Sequence, residues 1–274
     1  MASPEPRGDA AATVVEILRV FSDASTRPCL VRTTDGRLHV LKLAGAGPGP
    51  RGLLIELLAL RFAKLLGAPV PDAKPLLLPH SFPWMVGTDE FDEMIQRSFG
   101  WNLGVAFIPN TAPVAAADLG PDDAASLLAI AEADCFLHNV DRPRSNPNLL
   151  RGAGGTLHAI DFDACLYFDR ALAGRLPASF ALPRTHLLAG MMTASKGKAL
   201  DPDLPISWLA EAPSAWIDAA GREVPVIANA LATYIRHWNA LCTGGAQEAG
   251  DQREASVGES GGCVSHALPL RPSS

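Results

Sequence analysis

The sequence predicts an α+β fold in which a strand-rich half precedes a helical half. Three observations carry this. Short apolar runs broken by turn residues fill the first third. Helical spacing dominates Arg170 to Leu241. A second hairpin pattern, at 148–161, marks the junction. The chain has 274 residues, of which 48% are hydrophobic and 19% charged. Such a composition can bury a sizeable core and excludes global disorder.

Each element follows from local chemistry. VVEILRVF (14–21) is β-rich and partly alternating, and the polar stretch SDASTRP (22–28) reads as a loop. CLVRTT and RLHVLKL flank Asp35-Gly36, a pair that favours a tight hairpin because glycine tolerates positive φ. The Gly/Pro-rich segment 44–52 reads as a flexible connector. Its glycines precede a helix, but Pro48 and Pro50 remove the amide donors a phosphate loop would need. LLIELLALRFAKLL (53–66) is a helix stopped by Gly67, Pro69 and Pro71. PLLL (75–78) and NLGVAFI (102–108) are strand candidates, and FDEMIQRSF (91–99) is a short helix. Pro121 and two aspartates open a helix within Asp118 to Phe136. NLLR and TLHAID form the second hairpin, and LLAGMM, SWLAEAP and VIANALATYIRHWNAL read as helices. Trp208, Trp216 and Trp238 lie on helical segments and are expected in the core. The segment 243–274, rich in Gly, Ser and Glu, is predicted to be a disordered tail in which Ser256 and Ser260 are candidate phosphorylation sites.

Charge and cysteine content narrow the function classes. The net charge is −6 and no Lys/Arg run is present, which argues against nucleic-acid binding. No basic patch for an anionic membrane is seen, and apolar stretches fall short of the roughly 18 residues a spanning helix needs. Five cysteines without paired spacing, together with an N-terminus lacking an apolar signal region, point to a cytoplasmic protein with reduced thiols. The seven histidines show no metal-ligand spacing, and His138 and His158 are expected to pack in loops.

Five polar residues stand out against this background. Lys42 ends an apolar strand, and Glu56 lies on the otherwise apolar helix that follows. Asp141 and Asn146 occupy the loop after a long helix, and Asp161 ends the strand of the second hairpin. Phosphoryl transfer uses such a set. A lysine holds nucleotide phosphates and is itself held by a glutamate, an aspartate orients the attacking hydroxyl, and an amide and a second carboxylate hold Mg²⁺. Two positions have competitors: Asn148 for Asn146, and Asp163 for Asp161. Each residue also has a plainer role. A strand-end lysine is commonly a solvated edge residue, a helix-start glutamate complements the dipole, and Asx residues close turns.

The pieces VRTTDGRLHVLKL, IELLALRFAKLLGAPVP, HNVDRPRSNPNLL and HAIDFDACL resemble the HipA-like kinases, and more distantly the type II phosphatidylinositol 4-kinases, over roughly residues 14–240. The resemblance implies a bilobal, protein-kinase-like fold. A β-rich lobe would cover 13–107 and a mainly helical lobe 108–242, with a hinge within 100–112. It implies ATP and Mg²⁺ as cosubstrate and metal. Lys42 and Glu56 would act on the nucleotide, Asp141 as the catalytic carboxylate, and Asn146 and Asp161 as metal ligands. A protein serine or threonine is the expected acceptor, with a small-molecule hydroxyl as the alternative. A regulatory protein partner is a further expectation. Neither G-x-G-x-x-G nor G-x-x-x-x-G-K-[ST] is present, so the phosphate-covering loop would be 22–28, using backbone amides and the hydroxyls of Ser22, Ser25 and Thr26. Rival readings are a degenerate kinase that binds nucleotide or a partner without turnover, and a purely structural α+β protein.

Overall fold

A computed structural model describes residues 12–22, 24–83, 85, 87–165, 170–171, 173–191 and 197–254, with side chains as far as 241. The first three strands, β1 (Val14–Val20), β2 (Cys29–Thr33) and β3 (Leu38–Lys42), form an antiparallel meander. Gly36, at φ 76°, makes the turn between β2 and β3. Helix α1 (Gly49–Leu65) leads to β4 (Ala73–Leu78), then α2 (Asp89–Arg97) to β5 (Gly100–Ala106). The sheet order is β1-β2-β3-β5-β4. Its two edges approach each other where Thr13 bridges Leu77, so both exposed edges are short.

Strand alternation gives this sheet two faces. Leu41 of β3 and Leu43 just after it are buried with Cys29, Val31, Leu76, Phe91 and Ile95 in a small outer core closed by α2. Lys42, between them, turns to the opposite face. Thr88 caps α2 by accepting from the Phe91 amide, and Asp89, Glu90 and Asp92 complement its dipole.

Helix α1 starts earlier than the apolar pattern predicts. Gly49, Pro50 and Arg51 already belong to it, so the second half of the expected connector is its first turn; proline at the helix start needs no amide partner. The helix is apolar nearly all round because it is covered on both sides. It packs on β4 and β5 and also on α3 (Ala124–Leu137) and α5 (Ser214–Ala219).

A second sheet has the order β6-β7-β8: β6 (Thr111–Pro113), β7 (Leu149–Gly152) and β8 (Leu157–Ala159). The 148–161 hairpin is as expected. Strand β6 was not, since three residues ending in proline carry no readable strand period. Its partner strand is fixed by Arg151, whose guanidinium pairs with Asp123 at 2.8 Å just ahead of α3.

The helical half adds α4 (Leu204–Glu211) and α6 (Val224–Glu254). Trp216 and Trp238 are fully buried and Trp208 is half-buried, all against the main core. Two expectations need correction. Residues 187–191 of LLAGMM form turns rather than a helix, because Leu187 and Leu188 are held by hydrogen bonds to Arg142 and His186. The tail expected from Thr243 is helical as far as Glu254, since extending a formed helix fixes one residue per added bond without a new nucleus. The rest of that expected tail, 255–274 with Ser256 and Ser260, lies outside the described residues. Among the described residues, no helix is long and apolar enough to cross a membrane.

Candidate active site

Lys42 is where the two sheets meet chemically. Its Nζ lies 2.5 Å from Glu56 Oε1 and 2.9 Å from Asp161 Oδ1. The three residues come from β3, α1 and the segment after β8, and Lys42 and Asp161 are separated by 119 positions. The Glu56 side chain is 2% exposed, whereas that of Asp161 is 40% exposed. Burial alone would favour a neutral lysine, but Glu56 and Asp161 more than offset it and raise the Lys42 pKa above its ordinary value. Burial pushes the Glu56 carboxyl up; Lys42 opposes this, and Asp161 and Asp163 reinforce it.

Asp141 lies in an exposed loop fastened from both ends. Its backbone amide donates to Asn139 Oδ1 (3.2 Å), and its carbonyl accepts from Asn148 Nδ2 (2.7 Å). The Asn148 carbonyl in turn accepts from the Ile160 amide at 3.0 Å, which joins this loop to the residue before Asp161. Asn146 sits differently. It is exposed at the end of a turn in which its amide donates to the Pro143 carbonyl. Asn148 adopts φ 49°, Asp161 φ 60° and His138 φ 50°, so three of the five described non-glycine residues in the left-handed region flank this site. Such backbone persists where surrounding structure over-determines it, and it clusters at functional sites.

Further acid crowds the cleft. Burial raises the Asp163 carboxyl pKa, with Asp161 and Asp141 adding to the shift and Lys42 opposing it. The same cleft is lined by Thr26, Ala46, Pro48, Gly49, Lys42, Glu56 and Asp163. Of the three hydroxyls proposed for phosphate cover, Thr26 therefore reaches the site, whereas Ser22 and Ser25 are exposed on the same loop. Gly47, at φ 52°, brings the 44–49 loop against Thr26, where a Cβ would lie 3.1 Å from the threonine methyl.

The donor chemistry suits a hard divalent cation. With Asn148 Nδ2 committed to Asp141, Asn148 Oδ1 remains as an acceptor. Asp161 and Asp163 add carboxylate oxygens whose mutual repulsion a cation would relieve. Among the described residues no three His, Cys, Asp or Glu side chains converge as a closed cage. Mg²⁺ does not need one, because it takes one or two carboxylates and keeps waters and substrate phosphates. Asn148 and Asp163 were the runner-up readings in sequence. The signal for Asn148 was its place directly before strand β7.

The HipA-like kinase profile matches residues 14–174, a span that runs from β1 past Asp163. A solved structure of the proinflammatory kinase CtkA from Helicobacter pylori is similar, with 12% identity, a TM-score of 0.49, and coverage of 89% of this chain and 97% of that one. Among curated proteins none matches. With more than half of its length in the family profile, this chain belongs to the HipA-like kinases and is a kinase.

Proposed function

We propose that the protein transfers the γ-phosphoryl group of ATP to a serine or threonine hydroxyl of a protein, with Mg²⁺. The observation that carries this reading is the Lys42 ammonium held between buried Glu56 and half-exposed Asp161. A lysine so held is charged, rigid and aimed at the cleft, as a phosphate-binding group must be. Thr26 and the backbone of 44–49 cover the phosphates from above. Asp141, exposed and tethered through its backbone amide and carbonyl, orients the acceptor hydroxyl and accepts its proton. Its exposed setting suits an acceptor presented on a macromolecular surface.

Asn148, Asp161 and Asp163 are the residues we assign to the metal. Asn148 takes the place given to Asn146 by spacing alone, because Asn148 is bonded to Asp141 and to the Asp161 strand end while Asn146 faces solvent. When bound, the cation supplies charge neutralisation for the phosphates.

The test is transfer of label from γ-labelled ATP to protein, with autophosphorylation as the reporter. Asp141→Asn is expected to lower transfer by roughly 10²–10⁴-fold while leaving nucleotide affinity within a few-fold. Phosphoamino-acid analysis is expected to return phosphoserine or phosphothreonine. Equal transfer by the native protein and Asp141→Asn would overturn the assignment.

A further inference from the structure

A second cluster of charge lies beneath the cleft, and phosphate chemistry as derived above does not use it. Asp134 of α3 and Arg142 are both completely buried, with Nε 2.7 Å from Oδ2. The same carboxylate accepts from Asn139 Nδ2 at 3.0 Å and lies 3.4 Å from His186 Nε2, a contact without good hydrogen-bond alignment. His186 Nδ1 accepts from the Leu188 amide, so in the neutral ring Nε2 carries the proton and faces Asp134. Arg142 and His186 hold the Asp134 carboxyl below its ordinary value against the effect of burial.

Each of these partners holds a piece of the proposed site. Asn139 Oδ1 accepts from the Asp141 amide. Arg142 Nη1 donates to the carbonyls of Pro147 (2.7 Å) and Asn148 (2.8 Å), and its guanidinium stacks 5.3 Å over Phe162, the neighbour of Asp161. The Arg142 carbonyl accepts from the Leu187 amide, and Pro143 bridges His186, so the 183–188 segment is tied to the same loop. One carboxylate therefore reaches both ends of the Asp141–Asn148 loop and the segment beside it.

We propose that Asp134 is a positioning residue for phosphoryl transfer, setting the backbone of Asp141 and of Asn148 against Asp161 through Asn139 and Arg142. The inference rests on the reading of the site given above. A bulk structural role alone would register in the melting temperature and leave the Mg²⁺ dependence of nucleotide binding unchanged, because the lost contacts would then serve packing and not the site. That difference supplies the test.

The experiment measures binding of a non-hydrolysable ATP analogue by calorimetry, with and without Mg²⁺, alongside autophosphorylation. The proteins are the native chain, the double variant Asp134→Leu/Arg142→Met, and Arg142→Lys, which keeps the charge but cannot reach Asp134 and the two carbonyls at once. In the double variant the melting temperature is expected to fall, because the Pro147 and Asn148 carbonyls lose their donor, while metal-free affinity stays near native. The tightening produced by Mg²⁺ and the rate of transfer are each expected to fall about 10–100-fold, as loss of supporting contacts does at metal sites. A folded double variant with native Mg²⁺ tightening and native transfer overturns the inference. Should it not fold, Arg142→Lys decides by the same comparison. A native chain that shows no nucleotide binding or no Mg²⁺ effect overturns the functional reading itself, a distinct result.

Discussion

Lys42 and Glu56 show what a single buried charge demands of its neighbours. With Lys42→Met, Glu56 loses the group that opposes its burial, and its already raised pKa moves higher. A carboxyl with a raised folded-state value contributes its stability below the unfolded value, ordinarily 4.5, and loses it as pH climbs through the folded value. The variant is therefore expected to be close to native in stability at pH 5 and weaker at pH 8, by up to about 3–5 kcal/mol if the charge stays unpaired. Urea unfolding at the two pH values checks this. Phosphoryl transfer should be lost at both. A pH-independent loss of stability would show that Glu56 is not held by Lys42. Lys42 and Glu56 were legible in sequence because a charge on an apolar strand or helix stands out. Spacing favoured Asn146 over Asn148, since both are loop amides and spacing cannot reveal which one a backbone carbonyl holds.

At the scale of elements, the 44–49 loop and α2 form one shoulder of the cleft. The Gly45 amide donates to Ser98 Oγ at 2.9 Å, and a Cβ there would lie 2.7 Å from the Met94 carbonyl and 2.8 Å from Ser98 Oγ. Backbone on one side leaves little room to give. Gly45→Ala is expected to cost about 1–3 kcal/mol, read as a lower urea midpoint at unchanged slope. It should also weaken nucleotide binding more than Gly154→Ala, whose Cβ would meet nothing within 4 Å and whose φ lies outside the left-handed region. Equal nucleotide affinity in the two variants would detach this loop from the site. The segment looked like a spacer in sequence because glycine and proline report freedom or breakage; the close approach to α2 is a contact between residues some fifty positions apart.

For the whole molecule, the cleft lies between the five-stranded sheet with α1 and the segment after β8, and α1 and β5 belong to the main core that also contains α3, α5 and α6. The two halves therefore share their packing, and ligand occupancy in the cleft should be felt globally. An ATP analogue with Mg²⁺ at 100 times its Kd is expected to add about 2.7 kcal/mol to unfolding stability. Thermal unfolding that does not move with saturating nucleotide would contradict a nucleotide site in this cleft.

The sequence alone determined the order of strands and helices from β1 to β5, the Asp35-Gly36 hairpin, and the standing of Lys42 and Glu56 as charges on apolar elements. These are local signals: apolar period, turn chemistry, and charge misplaced on an apolar element. Tertiary structure alone decided which asparagine is hydrogen-bonded to Asp141 and to Ile160, that residues 187–191 lie as turns against the Asp141 loop, and that Asp134 is buried against Arg142. Those outcomes depend on hydrogen bonds closed by residues distant in the chain, and no local period encodes which buried donor will meet which carbonyl.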